Sequence, residues 1–259
     1  MNQMIEKVLK QVESEINSGT TQNTSTCCQG IGVSEYIGTA VGSTIGLVIP
    51  SVDPQLTKTM KLGKYRSIGF FGGRSAFGPQ VMAIDEAVKA TSTEVIKLES
   101  PRDDRDGAGP GSYIVIGGDD VSDVRRAIEI ALDRLETYFG DIYTNSAGHL
   151  EFQYTARASS CIEKAFGVKE GQAFGLVCGG PAPIGAVLTD IAVKAANVEI
   201  CSYTSPADGE GFCYANEITT TFTGDSGAVR QAVKAAIEPG KKILGAMGDE
   251  PKCVAVPYI

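Results

Sequence analysis

Tryptophan is absent from the 259 residues, histidine occurs once, at His149, and no apolar run approaches the roughly eighteen residues that cross a bilayer. The longest candidate, Ile37 to Pro50, is interrupted by Gly38, Thr39, Gly42, Ser43, Thr44 and Gly46. The chain begins Met-Asn-Gln-Met-Ile-Glu, where a secretory signal would need basic residues and an apolar stretch, so a cytoplasmic protein with no membrane partner is expected. Cations are also scarce. Lys and Arg number 23 against 31 Asp and Glu, a net charge of −8, and a nucleic-acid partner needs clustered cations. The seven cysteines include no Cys-x-x-Cys pair, which fits reduced thiols, with Cys27 and Cys28 adjacent. His149 has no Ser or Cys at an elbow-like turn to serve, so no catalytic residue is expected. Gly73–Gly78 and Gly180–Gly185 each space two glycines as a phosphate loop does. However, Pro79-Gln80 and Ala186-Val187 stand where Lys and Ser/Thr are required, so both read as tight strand–helix turns. No His, Cys and Asp spacing resembles a metal site, and no cofactor is expected.

What is present is a duplication. Asp85–Pro101 and Asp190–Pro206 share eight of seventeen positions at an offset of 105 residues: Asp85/Asp190, Ala87/Ala192, Val88/Val193, Lys89/Lys194, Ala90/Ala195, Glu94/Glu199, Ser100/Ser205 and Pro101/Pro206. The same offset aligns Asp120, Val124, Arg125, Ala127 and Ala131 with Asp225, Val229, Arg230, Ala232 and Ala236. Chance gives about one identity per window, so the chain holds two copies of one module of roughly a hundred residues.

Each copy reads strand, helix, strand, strand, helix. In the second, a strand over 173–178 precedes a helix bearing Ile184, Leu188, Ile191 and Ala195; strands follow at 198–203 and 217–222, rich in Ile and Thr. A helix capped by Asp225 or Ser226 is expected to stop at Pro239-Gly240. The first copy matches, with strands at 67–71, 95–98 and 113–116, a helix around 81–90, and a last helix from Asp119/Asp120 to Phe139. A further strand and short helix precede each copy, at 44–49 and 54–60 and at 150–154 and 158–166. The expected class is α+β, each module a sandwich with helices on one face of a mostly antiparallel sheet. The expected divisions are 1–38, 39–148 and 149–259.

Residues 1–16 place Met1, Met4, Ile5, Val8, Leu9, Val12 and Ile16 on one helical face, followed by a polar linker. This reads either as a helix that docks in a partner's groove or as one packing back on its own domain. Two Gly-rich, charged loops occupy the same point in the repeat, Pro101–Ser112 and Pro206–Asn216. They read as solvated hairpin loops, or as segments whose glycines allow close approach around a symmetry axis, with Asp103, Asp104, Asp106, Asp208 and Glu210 setting the field. Lys89 and Lys194 fit a helix-dipole role or a repeated role at an edge.

The run D-x-A-V-K-A-A-N-V-E, the S-P-x-x-G-x-G loop and the G-D-x-G-A-V-R-x-A-V helix start resemble the bacterial microcompartment shell domain. Two copies, each led by its own strand, look like the tandem, circularly permuted members that form pseudo-sixfold trimers. With YTARAS, GDSGAVRQAV and the closing EPK…PYI, the similarity is strongest to the propanediol- and ethanol-utilisation branch, over about 85% of the chain (from Thr39 to Ile259). The resemblance implies a non-enzymatic homotrimer that tiles the shell of a cytoplasmic microcompartment beside other shell proteins. Lys89 and Lys194 match the tile-edge lysine. Arg102, Asp103, Asp104, Asp106, Gly107, Gly109, Gly111, Asp208, Gly209, Glu210, Gly211, Phe212 and Cys213 match pore segments for small polar metabolites, although permuted members can place channels between modules instead. The N-terminal helix would tether lumen enzymes. Cys213 could also be an iron–sulfur ligand on a threefold axis, against which its long, aromatic-flanked loop argues. The competing readings are a metabolite-binding regulatory protein with paired modules and an enzyme, the latter disfavoured by the missing catalytic constellation.

Overall fold

The computed structural model describes residues 34–101, 110–206 and 216–259. The expected N-terminal helix and Cys27-Cys28 lie outside them.

The first sheet contains β1 (Glu35–Ala40), β2 (Thr44–Ile49), β3 (Ser67–Gly72), β4 (Thr93–Glu99) and β5 (Tyr113–Gly118), in the order β1-β2-β3-β5-β4. Its helices are α1 (Pro54–Met60), α2 (Phe77–Lys89) and α3 (Val121–Tyr138). The second sheet contains β6 (Ile142–Asn145), β7 (Gly148–Thr155), β8 (Phe174–Gly180), β9 (Val198–Thr204), β10 (Ile218–Gly224) and β11 (Lys252–Cys253), in the order β11-β6-β7-β8-β10-β9. Its helices are α4 (Ser160–Phe166), α5 (Ala182–Ala195) and α6 (Ser226–Gly245). All these pairings are antiparallel. The succession β2-α1-β3-α2-β4-β5-α3 recurs as β7-α4-β8-α5-β9-β10-α6, so the duplicated sequence is a duplicated fold.

Strand alternation decides what each face carries. Phe71, Ile114 and Ile116 meet Val81, Ile84, Val124 and Ile128 of α2 and α3. Ile68 and Val115 point the other way and are covered by Val52 and Leu62, which flank α1. In the second module Val177 and Phe222 pack with Leu188 and Val233 of α5 and α6. Phe174, Leu176 and Cys178 meet Phe166 and Val168 around α4. The long helices therefore share one face as expected, while the segments around the two short helices cover the other.

Capping follows the sequence. Asp120 accepts from Ser122 N at 2.7 Å, and Asp225 accepts from Gly227 N at 3.0 Å and Ala228 N at 3.2 Å. The expected stop at Pro239-Gly240 is corrected: α6 continues to Gly245. A Cβ at Gly240 would lie 3.1 Å from Leu188 and 3.2 Å from Leu150, so the glycine lets the helix seat closely, and Leu244 beyond it is fully buried. That packing outweighs the one hydrogen bond proline removes. Helix α2 begins at Phe77, ahead of the expected start near 81. Strands β1, β6 and β11 were not expected; β1 straddles residue 38, and β6 joins the second sheet ahead of residue 149. Among the described residues no helix is long and apolar enough to cross a membrane.

The C-terminal segment straps the joint between modules. Asp141 Oδ2 accepts from Tyr258 N at 2.8 Å and Ile259 N at 3.1 Å. The Tyr258 hydroxyl donates to Gln153 Oε1 at 2.7 Å and accepts from Tyr154 N at 3.0 Å. Tyr258→Phe leaves both partners without that hydroxyl and is expected to cost about 1–3 kcal/mol in chemical denaturation.

Candidate functional site

Of the expected pore residues only Gly111 lies within the described part. Arg102, Asp103, Asp104, Asp106, Gly107, Gly109, Asp208, Gly209, Glu210, Gly211, Phe212 and Cys213 lie outside it. Gly111 is at the root of the first loop, where its N–H donates to Pro101 O at 2.9 Å. A Cβ there would stand 2.6 Å from Gly73 O, so glycine is required by close backbone approach. Ser112 N donates to Gly73 O at 2.9 Å, and Gly73 N donates to Ser112 Oγ at 3.1 Å. The second loop ends at Asn216, whose side-chain oxygen accepts from Ala182 N at 3.4 Å, beside Gly180. Each loop is thus rooted at the Gly-Gly turn that leads into its module's first long helix.

The joint between modules is built by α4, which packs on α2 and β4 of the first module. Ser159 caps α4 by accepting from Cys161 N at 3.1 Å, and its own N–H donates to Asp85 Oδ1 at 2.8 Å. Lys89 Nζ donates to the other Asp85 oxygen at 2.5 Å. Lys164 Nζ reaches Val95 O. Dehydration pushes the Asp85 carboxyl above its usual range, opposed by Lys89 and Ser159. In the second module Lys194 and Asp190 form the same pair at 2.6 Å, exposed to solvent.

A third cluster was invisible in residue spacing. His149 on β7, Cys178 on β8 and Glu217, just before β10, converge on one side of the second sheet, all buried. His149 Nε2 shares a 2.6 Å hydrogen bond with Glu217 Oε2 and lies 4.0 Å from Cys178 Sγ. Glu151, two residues along β7 and paired across the ladder with Cys178, lines a cavity of about 30 Å³ together with Cys178 and Glu217. Burial, reinforced by the Glu217 carboxylate, pushes Glu151 up to about 8. The His149, Cys178 and Glu217 ligand atoms lie within 4.8 Å of one another, close enough to hold a metal ion.

Residues 67–146 and 173–248 each match the family model described as the BMC domain. Over 269 aligned residues the chain is 49% identical to the bacterial microcompartment shell protein PduB of Citrobacter freundii, covering 100% of this chain and 99% of that protein. The crystal structure of a trimeric bacterial microcompartment shell protein PduB matches with a TM-score of 0.83 and 49% identity, over 87% of this chain and 99% of that one. EtuB from Clostridium kluyveri matches with a TM-score of 0.83 and 49% identity, over 87% and 98% of the two chains.

Proposed function

The chain belongs to the BMC-domain family of bacterial microcompartment shell proteins, and on that premise we propose that three copies close head to tail into a six-module ring that tiles the shell. It carries two such domains in tandem, in permuted order, and is a structural protein rather than an enzyme.

One observation carries the ring. Four large apolar residues left in solvent, Leu56, Val187, Ile200 and Tyr203, are the repeat counterparts of residues the other module packs into the joint. Leu56 on α1 is 38% exposed, whereas its counterpart Ile162 on α4 is fully buried. Val187 on α5 and Ile200 on β9 are 46% and 44% exposed; their counterparts Met82 and Val95, packed in the cluster that holds Ile162, are 0% and 1%. Tyr203 is exposed where Leu98 is partly buried. The joint inside the chain is therefore a template for a joint between chains, with α1 of one copy seated on the α5–β9 face of the next. Asp190 would accept from the partner's Asp53 N–H as Asp85 accepts from Ser159, and the partner's Lys58 would reach Ile200 O as Lys164 reaches Val95. Such a head-to-tail contact propagates until it closes, and six modules make three chains.

Within the ring the two Gly-rich loops would line pores for small polar metabolites, and Asp103, Asp104, Asp106, Asp208 and Glu210 would disfavour anions. Their common rooting beside the Gly-Gly turns supports a shared role. The N-terminal amphipathic segment, residues 1–16, would tether lumen enzymes. Lys89 and Lys194 would serve at tile edges, where Lys194 is the more exposed of the two. Electron microscopy of concentrated protein tests the tile: hexagonally packed sheets are expected, and discrete particles at every concentration would contradict it. Lys194→Ala is expected to leave the trimer intact and abolish the sheets.

A further inference from the structure

We propose that His149, Cys178 and Glu217 form a binding site for a thiophilic divalent transition metal of the zinc class, with the fourth position taken by water. The proposal goes beyond the shell role and is independent of how the ring closes. It rests on the placement of the donors. Strand alternation puts His149 and Glu151 on one side of β7, and the β7–β8 register sets Glu151 against Cys178. The β8–β10 ladder pairs Ile218 with Gly179, so Glu217, just ahead of β10, reaches the same place beside a third strand. Two glycines clear the space. A Cβ at Gly180 would stand 2.9 Å from His149 Cε1, and one at Gly78 would overlap Glu151 Oε1 at 1.7 Å.

A cavity of about 30 Å³, lined by Glu151, Cys178 and Glu217, adjoins the cluster and has room for one water or ion. Donors around a tetrahedral zinc stand about 3.3–3.6 Å apart, given bonds near 2.0 Å to N and O and near 2.3 Å to S. The present cluster lies within 4.8 Å, with one pair at 2.6 Å and another at 4.0 Å, so its separations bracket that spacing. A sulfur, an imidazole nitrogen and carboxylate oxygens select zinc, cobalt or iron(II) over magnesium and calcium. Binding would displace the proton of the Cys178 thiol, releasing it to solvent. Because Phe77, Gly78 and Pro110 of the first module line the same cavity, the ion would sit where the two modules meet.

Titration of the full-length, metal-stripped protein with Co²⁺ tests the site. One equivalent per chain should give intense tetrahedral d–d bands and a thiolate-to-cobalt charge-transfer band in the near ultraviolet, both bleached by Zn²⁺. Cys178→Ser should lose the charge-transfer band and bind at least tenfold more weakly, and Zn²⁺ should raise the Tm of the wild type by several degrees but not that of the variant. Should Cys178→Ser fail to fold, Glu217→Gln serves instead. It should keep the charge-transfer band and weaken Co²⁺ by at least tenfold. Absence of the bands in the wild type overturns the site. So do a spectrum and affinity unchanged in Cys178→Ser, which would assign the band to another thiol, or, with Glu217→Gln, an affinity equal to the wild type's.

Discussion

Leu56→Asp is expected to turn a trimer into a monomer without unfolding it, and Ile200→Asp to do the same from the opposite face. Both side chains are exposed on the single chain, so a charge there costs the monomer little. In the ring each would be buried as Ile162 and Val95 are buried in the internal joint. Losing a buried Leu or Ile is worth about 2 kcal/mol, and a carboxylate forced into its place adds to that. The change is repeated at three interfaces. The concentration at half-dissociation should therefore rise about a hundredfold or more, as read by analytical ultracentrifugation. Matched substitutions at Ile162 or Val95 should instead lower the stability of the chain itself.

The second large effect separates two aspartates that the sequence presents as equals. Asp85→Ala removes a fully buried carboxylate that holds Lys89 and the Ser159 N–H, leaving both without their partner. A loss of about 2–4 kcal/mol is expected in urea denaturation of the monomeric Leu56→Asp background. Asp190→Ala, made in the same background, should change stability by less than about 0.5 kcal/mol, because its pair with Lys194 is in solvent. In the otherwise wild-type chain Asp190→Ala should weaken the trimer. If both variants destabilise the monomer alike, Asp190 is not held for an interface.

The repeat made the two modules legible, because eight identities in seventeen positions mark one structural unit used twice. Local chemistry also located α1, which spans Pro54–Met60 as its Asp-Pro start predicts, and α3, whose cap is Asp120. Strand β1 was missed because Gly38 and, on its partner β2, Gly46 break the apolar pattern. Their reason is tertiary: a Cβ at Gly46 would stand 2.4 Å from Ile128, so helix α3 demands the glycine. Helix α6 was cut short for the same kind of reason, since the packing of Gly240 and Leu244 overrides a local stop signal.

The His149–Cys178–Glu217 cluster could not be read from spacing, because its members come from three parts of one sheet. The available signal was the alternation of His149, Glu151 and Gln153, which puts polar groups on one face of a strand whose other face carries Leu150 and Phe152. The joint was hidden more deeply. Asp85 with Lys89 and Asp190 with Lys194 are identical in sequence, and only packing reveals that Asp85 is buried under α4 while Asp190 is exposed.

Mixing the two interface variants tests the head-to-tail ring most directly, with native mass spectrometry as the readout. Leu56→Asp keeps a sound α5–β9 face and Ile200→Asp keeps a sound α1, so one of each can form a single good joint and no closed ring. Each variant alone should appear at the chain mass of 27.2 kDa. The mixture should gain a species of two chains, one of each kind, and nothing larger. A mixture that stays monomeric, or one that rebuilds the three-chain particle, would contradict the ring.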